Sequence, residues 1–389
     1  MNEEKDYINF NEYIKASEPH KRERAEAWRV AIGLQAVDGL HVSEYLKQTA
    51  RKHIEGKITI DEAREQIKQY YISKTSHDED DEEKSEADTV SGNIAKLISS
   101  PSFNFSAAGI KAIHHAIFKG VFKHAGTLRT YDITKKEWVL RGDTVMYGRW
   151  QDLLMALDYD IEQEKQFNYN GLSLTEIIEH LAKFTSGIWQ THPFCEGNTR
   201  TTAVFIIKYL KSIGFECNND MFEQHSWYFR NALVRANYRN IAKGINQDSS
   251  FLVKFFRNLL MREHNELKNR YMLINLPEEW KNEASTEQVP NKYRTSTEQV
   301  PNKFDNIIFT ENDNIKKLVI TICEQQASVK QIMEGLQLKH RPTFIENYLN
   351  PAISDGFVKP LYPNSPRHPR QKYLLTVKGL ALYNTLHTR

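Results

Sequence analysis

The sequence HPFCEGNTR, residues 192–200, decides the fold because it separates two stretches with helical periodicity. EIIEHLAKFTSGIWQTH before it and TTAVFIIKYLKSIGF after it both repeat apolar residues at intervals of three and four. Gly197 therefore comes where the second helix begins. A helix N-terminus has unpaired backbone N–H groups and a positive dipole end, so it suits an anion such as phosphate. The stretch predicts an anion-binding junction in a mainly helical protein.

Four side chains at this junction suit phosphate chemistry. His192 has the pKa best matched to taking a proton from a hydroxyl group near neutral pH. Glu196 offers a hard oxygen ligand for Mg²⁺, and Arg200 offers a permanent charge with parallel donors. Asn198 either caps the helix or donates to a phosphate oxygen. Singly, each also fits an ordinary role at a helix end, but together they predict transfer of a phosphorus-containing group.

Composition limits the classes of protein to consider. The chain has 389 residues, and its 52 Lys and Arg against 50 Asp and Glu give a net charge of +2, too small to predict an obligate nucleic-acid or membrane partner. Its three cysteines are widely spaced and odd in number, which indicates a reducing compartment. No apolar run is long enough to cross a bilayer. We therefore expect a cytoplasmic protein without a membrane partner.

Shifts in composition divide the chain into five segments. Thr59 and Glu62 predict a capping box at the start of one N-terminal helix. HDEDDEEKSEAD has one alanine as its only apolar residue, which predicts a mobile linker. A second linker contains STEQVPNK twice. The predicted segments are a helical region at 1–76, the acidic linker at 77–88, a helical domain at 89–275, the second linker at 276–304 and a C-terminal domain at 305–389.

Two stretches depart from purely helical periodicity. RTYDITKKEWVLRGDTVMYG, residues 129–148, is rich in Thr, Tyr, Val and Trp and predicts a β-hairpin whose open edge would accept an extended peptide. Residues 305–389 predict three helices, a two-stranded wing and a last helix, an order typical of a winged helix. This segment is basic in balance, so DNA is one candidate partner. Protein docking or oligomerisation is the alternative.

The junction resembles the Fic family motif, His-x-Phe-x-Asp/Glu-Gly-Asn-Gly-Arg-x-x-Arg, and the resemblance extends over about residues 89–270. It implies a mainly α fold: a Fic-type helical domain with a β-hairpin flap, joined here to the N-terminal helical region and the winged-helix-like domain. The usual activity of the family transfers AMP from ATP to a hydroxyl group of a target protein and releases pyrophosphate. The resemblance therefore implies an adenylyltransferase with ATP as donor, Mg²⁺ as cofactor and a Ser, Thr or Tyr hydroxyl as acceptor, self-modification included.

The resemblance also implies roles for individual residues. His192 would deprotonate the acceptor, Phe194 would anchor the loop in the core, and Glu196 would bind Mg²⁺. The nucleotide would contact Glu196, Gly197, Asn198, Thr199 and Arg200, with Leu233 and Asn237 approaching its base. The flap would align the main chain of the target through Thr134, Lys135, Lys136, Glu137, Trp138 and Val139. Leu233 and Asn237 fit ordinary helix packing equally well.

Two positions depart from the family pattern. Thr199 replaces the second glycine and adds a β-branched side chain where the phosphates would lie. Ala203 replaces the closing arginine, which in relatives holds the γ-phosphate and pairs with a regulatory glutamate. These changes leave three interpretations open: slow AMP transfer, transfer from another nucleotide donor, and a degenerate site in a DNA-binding or interaction protein.

The inhibitory signature of the family, Ser/Thr-x-x-x-Glu-Gly or its Asn variant, has two partial counterparts. AIGLQAVDGL, residues 31–40, places Asp38 at the glutamate position, and TVSGN, residues 89–93, places Ser91 there. Because Ala203 has no guanidinium group, we expect neither candidate to form the usual salt bridge. Residues 20–73 are interpreted either as a built-in antitoxin-like module that blocks the nucleotide sterically or as a docking or dimerisation hairpin.

Overall fold

The structure is a computed structural model of the chain. It describes residues 18–74, 79–217, 220–275 and 310–387, except 364, 367 and 369. The predicted linker at 276–304, with its repeated STEQVPNK, lies outside the described residues. Within these ranges the fold is mainly α, as predicted, with one two-stranded sheet. No described helix has both the length and the apolar character that a membrane span requires.

Residues 18–74 form the predicted N-terminal helical region. Its elements are helix α1, Pro19–Gly33; a 3₁₀ helix, Leu34–Asp38; helix α2, Glu44–Ile54; and helix α3, Ile60–Ile72. The predicted capping box is present at the start of α3, where Thr59 and Glu62 each accept the backbone N–H of the other. Trp28, fully buried in α1, donates its Nε1–H to Nδ1 of His53 at 3.0 Å, which fastens α1 to α2.

The mobile linker predicted at 77–88 is wrong from residue 79 onward, because helix α4 spans Glu79–Ser99. Acidic residues fill its first turns, where the positive end of the helix dipole stabilises them. Its later turns bury Val90, Ile94 and Ile98 at helical spacing. These apolar positions anchor the whole helix, although they follow the acidic run.

Ser91 lies on the buried face of α4 and has no exposed surface. Its hydroxyl group donates to the carbonyl oxygen of Ala31 at 3.3 Å, which joins α4 to α1. Ser91 therefore has a packing role, and its assignment as a regulatory residue stays a prediction.

Six helices surround the junction. They are α5, Ala107–Phe118; α6, Leu153–Gln166; α7, Leu174–Thr191; α8, Asn198–Ser212; α9, Asp220–Asn237, kinked at His225; and α10, Ser250–Met261. Helix α8 is buried at every position from 198 to 210, so it forms the centre of the core. The junction between α7 and α8 is therefore held from several sides.

The β-hairpin predicted at 129–148 does not form strands. The segment, all of it described, is irregular apart from a 3₁₀ turn at Trp138–Leu140. The N–H of Glu137 donates to the carbonyl oxygen of Asp143 at 2.9 Å, so the two arms still meet near the tip. Buried side chains rather than a strand ladder fix the arms. We call residues 129–148 the flap loop.

The C-terminal residues follow the predicted order of elements. These are α11, Asp313–Ile322; α12, Val329–Gly335; α13, Arg341–Phe344; a π turn, Ile345–Leu349; α14, Asn350–Ser354; β1, Val358–Pro360; β2, Tyr373–Leu375; and α15, Val377–His387. The strands are antiparallel, with Val358 opposite Leu375. DNA binding by this region stays a prediction.

The C-terminal elements have a core of their own but rest on the helices around the junction. Ala381 of α15 is buried in the main core. The N–H of Lys378 donates to the carbonyl oxygen of Ile213 at 3.3 Å, and the Asn384 amide donates to that of Leu172 at 2.8 Å. Helix α15 is therefore the element that joins the two regions.

Candidate active site

His192 lies just after α7, where the chain turns into the junction. Its φ of 48° is left-handed, and it is only 2% exposed. Its Nδ1 lies 3.1 Å from the carbonyl oxygen of Trp189, which only accepts, so Nδ1 carries the proton and Nε2 keeps a lone pair. Burial, helped by the charge of Lys135, holds the pKa of His192 well below its ordinary value of 6.5. The imidazole is therefore neutral at neutral pH, as a general base must be.

Arg129, which the sequence analysis missed, ties the junction to the flap loop. Its buried guanidinium donates to the carbonyl oxygens of His192 at 2.8 Å and Tyr131 at 2.7 Å, and it also contacts that of Gly148. Its backbone N–H donates to the carbonyl oxygen of Pro193 at 3.0 Å. Both ends of the flap loop are thereby fixed against the base. Nothing in the residues around Arg129 predicts this role, because it depends on contacts about sixty residues away along the chain.

Phe194 anchors the junction in the core, where it is fully buried and stacks on His114 with ring centroids 3.7 Å apart. His114 accepts the N–H of Gly126 on Nδ1 at 2.7 Å, so its Nε2–H donates to the carbonyl oxygen of Glu196 at 3.1 Å. Burial lowers the pKa of His114 to about 4, which keeps the ring neutral in this arrangement. His114 is a second supporting residue that the sequence analysis missed.

Gly197 and Asn198 shape the turn into α8. Gly197 has a left-handed φ of 72°, and a Cβ there would lie 2.2 Å from the ring of Phe118, so only glycine fits. Asn198 uses both ends of its amide on the backbone of Phe194, at 2.9 and 2.7 Å. The Asn198 side chain therefore holds the loop, and a contact with phosphate would have to come from its backbone N–H.

The two departures from the family motif are both buried in α8. The hydroxyl group of Thr199 accepts the indole N–H of Trp189 at 2.9 Å, so the extra side chain links α8 to α7. Ala203 has no exposed surface. Thr199 thus has a structural use at this position, and its contact with a nucleotide stays a prediction.

Glu196 has the exposed carboxylate of the junction, with 61% of its side chain accessible. Nζ of Lys135, from the flap loop, lies 3.8 Å from its Oε2. Among the described residues, no group of three or more His, Cys, Asp or Glu could hold a metal ion. A single carboxylate nevertheless fits Mg²⁺, which proteins often bind through one or two carboxylates together with substrate phosphates.

Arg200 is enclosed by side chains from the first hundred residues. Its Nε lies 2.8 Å from Oδ2 of Asp38, its Nη2 lies 2.9 Å from Oε1 of Glu86, and its Nη1 donates to Oε1 of Gln35 at 3.0 Å. Its guanidinium also lies 4.8 Å from the ring centroid of Phe118. With 2% of its surface exposed, Arg200 is a buried cation shared between two carboxylates.

The expectation excluded only the usual salt bridge at position 203, and Asp38 forms a different one. Asp38 pairs with Arg200 instead of with an arginine at position 203. The Nε–H of Arg200 has no aligned hydrogen-bond acceptor, although Oδ2 of Asp38 is close, so this contact is mainly ionic. Glu86 was missed because it lies in the acidic run interpreted as a linker.

The flap loop exposes only part of the set predicted to meet a target. Thr134, Lys136 and Trp138 face solvent, and Lys135 is half-buried.

Glu137 and Val139 are 1% and 0% exposed, so neither side chain is accessible to a target, and alignment of a target main chain by this part of the flap loop stays a prediction. Glu137 pairs with Arg230 at 2.6 Å and accepts the hydroxyl group of Tyr147 at 3.1 Å. The carbonyl oxygen of Val139 accepts the N–H of Ile274 at 3.0 Å. These two residues fasten the flap loop to the core, and Thr134, Lys136 and Trp138 are the members of the set with exposed side chains.

Leu233 and Asn237 lie in the packing around α9. Leu233 is fully buried. The amide of Asn237 donates to the carbonyl oxygens of Leu233 at 2.9 Å and Ser186 at 3.3 Å. Both residues thus have the packing role considered above, and a contact with a nucleotide base stays a prediction.

Two family models match the chain. Residues 104–210 match the Fic/DOC family, and this range contains the flap loop and the junction. Residues 313–376 match the C-terminal domain of the Fic-like "filamentation induced by cAMP" proteins. No curated protein matches the chain.

Three solved structures are similar to the chain. A Fic family protein from Desulfovibrio desulfuricans is 16% identical, with a TM-score of 0.42 over 92% of this chain and 88% of that one. BepC, a VirB-translocated effector of Bartonella tribocorum solved with AMPPNP, is 20% identical, with a TM-score of 0.34 over 43% of this chain and 80% of its own. The Fic domain of a Bep effector from Bartonella quintana is 19% identical, with a TM-score of 0.30 over 43% and 76%.

Proposed function

The chain belongs to the Fic family, and from that premise we propose that it transfers the AMP group of ATP to a hydroxyl group of a protein. The single observation that carries this proposal is the state of His192. Its Nδ1–H is fixed by the carbonyl oxygen of Trp189, and burial keeps the ring neutral, so Nε2 is ready to accept a proton beside the start of α8. Another nucleotide donor is the alternative within the same chemistry.

The proposed step conserves atoms and charge. The oxygen of the acceptor hydroxyl group forms a bond to the α-phosphorus while its proton passes to Nε2 of His192. The bond between the α-phosphorus and the oxygen that bridges to the β-phosphate breaks, and the electron pair leaves with pyrophosphate. The backbone N–H groups that open α8 at Asn198 and Thr199 would orient the phosphates.

Glu196 is the residue proposed to hold Mg²⁺, which, when bound, would neutralise part of the polyphosphate charge. The Lys135 ammonium group lies near the same carboxylate. Lys135 would therefore move away from Glu196, or share it, when the nucleotide enters.

We also propose that the N-terminal region restrains this activity through Arg200. To contact phosphate oxygens, Arg200 would have to exchange the carboxylates of Asp38 and Glu86 for them. The 3₁₀ helix Leu34–Asp38 would then belong to the built-in antitoxin-like module considered for residues 20–73, and helix α4, which lies outside that range, would add Glu86 to the restraint. A homo-oligomer formed through this region stays a prediction.

Intact-mass measurement tests the proposed transfer. Full-length protein and an Asp38→Ala variant are incubated with ATP and Mg²⁺, alone and with proteins from the source cell. We expect an added AMP group on an acceptor or on the chain itself, lost in His192→Ala and kept in Cys195→Ser, a matched change in the same loop. A different added mass would identify another donor. Absence of any modification in both proteins would contradict the proposal.

A further inference from the structure

We infer that the outer face of α6, together with the neighbouring end of the flap loop, is a docking surface for a basic, apolar segment of the protein that receives the nucleotide. The identity of this partner as the acceptor rests on the proposed function. The surface itself is argued from the exposure, charge and position of its residues.

Exposed apolar side chains are concentrated around the flap loop. In the described part of the chain eleven large apolar side chains are exposed, and seven of them lie between residues 131 and 159. These seven are Tyr131, Trp138, Met146, Trp150, Leu154, Met155 and Tyr159, and Met146 is the most exposed at 83%. Single exposed apolar residues are ordinary, but a cluster of this kind marks an interaction site.

Helix α6 carries three of these seven side chains, Leu154, Met155 and Tyr159, away from its buried side. Leu153, Leu157 and Ile161 form its buried stripe. A second apolar group, which we call the α6 strip, consists of Leu154, Met155 and Tyr159 of α6 with Trp150 of the 3₁₀ turn just before it, and its members are 41 to 68% exposed. A surface helix ordinarily has one apolar stripe, so the second one needs a partner to cover it. Met155 adds an adaptable side chain, a type common at binding surfaces.

The α6 strip borders a shallow groove of about 610 Å³. Its lining residues are Gln151, Leu154, Met155, Asp158, Tyr159 and Glu162. Two of the six are carboxylates and none is basic. Three acidic residues of helix α6 are exposed or half-buried, Asp158, Asp160 and Glu162, and its one base, Lys165, pairs with Glu162 at 2.6 Å. A partner segment with Lys or Arg beside its apolar residues therefore fits this groove best.

A second copy of the chain fits the groove less well. A twofold interface would place the α6 strip against itself, so the Asp158 carboxylates of the two copies would meet like charges. The acidic character that favours a basic partner thus disfavours self-association through this face.

The α6 strip is continuous with the proposed reaction site. The N–H of Trp150 donates to Oδ1 of Asp132 at 2.9 Å, and the N–H of Gly148 donates to the carbonyl oxygen of Gln190, two residues before His192, at 3.2 Å. Met146 projects from the flap loop beside this connection, where the side-chain amide of Gln190 donates to its carbonyl oxygen at 3.1 Å. A segment seated on the α6 strip would therefore pass along the flap loop toward the base.

The test separates docking from chemistry. Full-length wild type, Met155→Lys and Tyr159→Lys are compared with Ile320→Lys, a matched change at an exposed apolar residue of α11. Two rates are measured with labelled ATP: transfer to proteins of the source cell and hydrolysis of ATP to AMP and pyrophosphate. We expect the strip variants to lose about tenfold in transfer, as loss of about 1.4 kcal/mol of binding would give, while hydrolysis stays at the wild-type rate.

A photo-reactive amino acid at position 159 then identifies the occupant. We expect it to cross-link a protein that also carries the label, through a segment containing Lys or Arg among apolar residues. Cross-linking to a second copy, with a dimer detected by light scattering, would overturn the inference. Equal transfer by wild type and strip variants would also overturn it. If the wild-type protein labels no protein and consumes no ATP, the result contradicts the proposed function instead.

Discussion

His192, the proposed base, lies where water is largely excluded, and this determines how the proposed reaction should depend on pH. A buried imidazole with lowered pKa remains neutral through the range where an exposed histidine gains a proton. The Nδ1–H bond to Trp189 also selects the tautomer with basic Nε2. The proposed base therefore has its neutral form, with the proton on Nδ1, without any substrate bound.

We predict that transfer shows no loss attributable to His192 between pH 8 and its ordinary pKa of 6.5, and that such a loss begins only at lower pH. Because the pKa of His192 is lowered, the neutral form that can accept a proton persists to a lower pH. The measurement is kcat/KM for AMP transfer across this range with a fixed acceptor. A fall centred at or above pH 6.5 that moves to still higher pH when Lys135 is replaced by Met would show that His192 titrates like an exposed histidine and would contradict the prediction.

Arg200 pairs with two carboxylates in the structure, whereas the proposed function requires it to bind phosphate. Coulombic attraction between Arg200 and two nearby carboxylates in a buried setting competes directly with an incoming polyphosphate. Since Asp38 is only partly exposed, removing it changes the charge around Arg200 substantially.

We predict that Asp38→Ala raises kcat/KM for nucleotide transfer by about tenfold, equivalent to about 1.4 kcal/mol. Asp38→Ala combined with Glu86→Ala should raise it further. The matched control is Glu44→Ala, which removes an exposed carboxylate that pairs with Lys47 in the same N-terminal region and should leave the rate unchanged. Equal rates for wild type and both Asp38 variants would show that the contacts of Arg200 are only structural.

The sequence could predict residues whose chemistry is visible in the motif, and it could not predict residues that act through distant contacts. His192, Glu196 and Arg200 occupy the junction where the pattern placed them. Arg129 and Glu86 reach the same place from remote segments, and nothing in their local sequence marks them. Their positions follow from tertiary packing.

At the scale of elements, the flap loop shows how composition can predict a location but not a conformation. Its Thr, Tyr, Val and Trp content indicates strands, yet its arms are held by side chains such as Glu137 that turn inward to helix α9. A strand ladder would need backbone pairing along both arms, and here only the tip is paired. Buried and exposed residues nevertheless alternate from Lys136 to Val139, as they would in a strand.

We predict that Arg230→Met destabilises the protein by about 3 kcal/mol, because it leaves the Glu137 carboxylate buried without its cation. The double variant Glu137→Leu with Arg230→Met should cost less than the single change, since it removes the unpaired charge. Denaturant unfolding of the wild type, Glu137→Leu, Arg230→Met and the double variant measures the coupling free energy between the two residues. Additive costs would show that the pair contributes no coupling and that another contact orders the flap loop.

Helix α4 explains the main error in the predicted domain boundaries. The acidic run has too few apolar residues to fold alone, but it is the first half of a helix whose second half is well buried. Asp88, at the end of the run, is buried and accepts the hydroxyl groups of Ser43 and Tyr71, so its charge is satisfied by α2 and α3 contacts. The segment therefore joins the N-terminal helices to the site that it was expected to separate from them.

At the scale of the whole molecule, the C-terminal domain is held against the end of α8 that lies opposite the junction. Helix α8 has fifteen residues, so this contact is about 22 Å from the start of the helix. Gly214 and Gly356 meet there backbone to backbone, and a Cβ on Gly214 would lie 2.3 Å from the carbonyl oxygen of Gly356. The sequence showed the two domains but not this contact, because two isolated glycines give no signal of their pairing.

We predict that Gly214→Ala loosens the C-terminal domain without changing nucleotide transfer. Its φ of +95° and the close carbonyl oxygen both oppose a Cβ, at a cost on the order of 1–3 kcal/mol. Hydrogen exchange should then increase in α15 and stay unchanged at the junction. Gly244→Ala is the matched control, since it has a φ of +66° but no atom within 4 Å of the added Cβ. If Gly214→Ala instead slows transfer while Gly244→Ala does not, the C-terminal domain must influence the site along α8, and the two ends of this central helix would have to be treated as coupled.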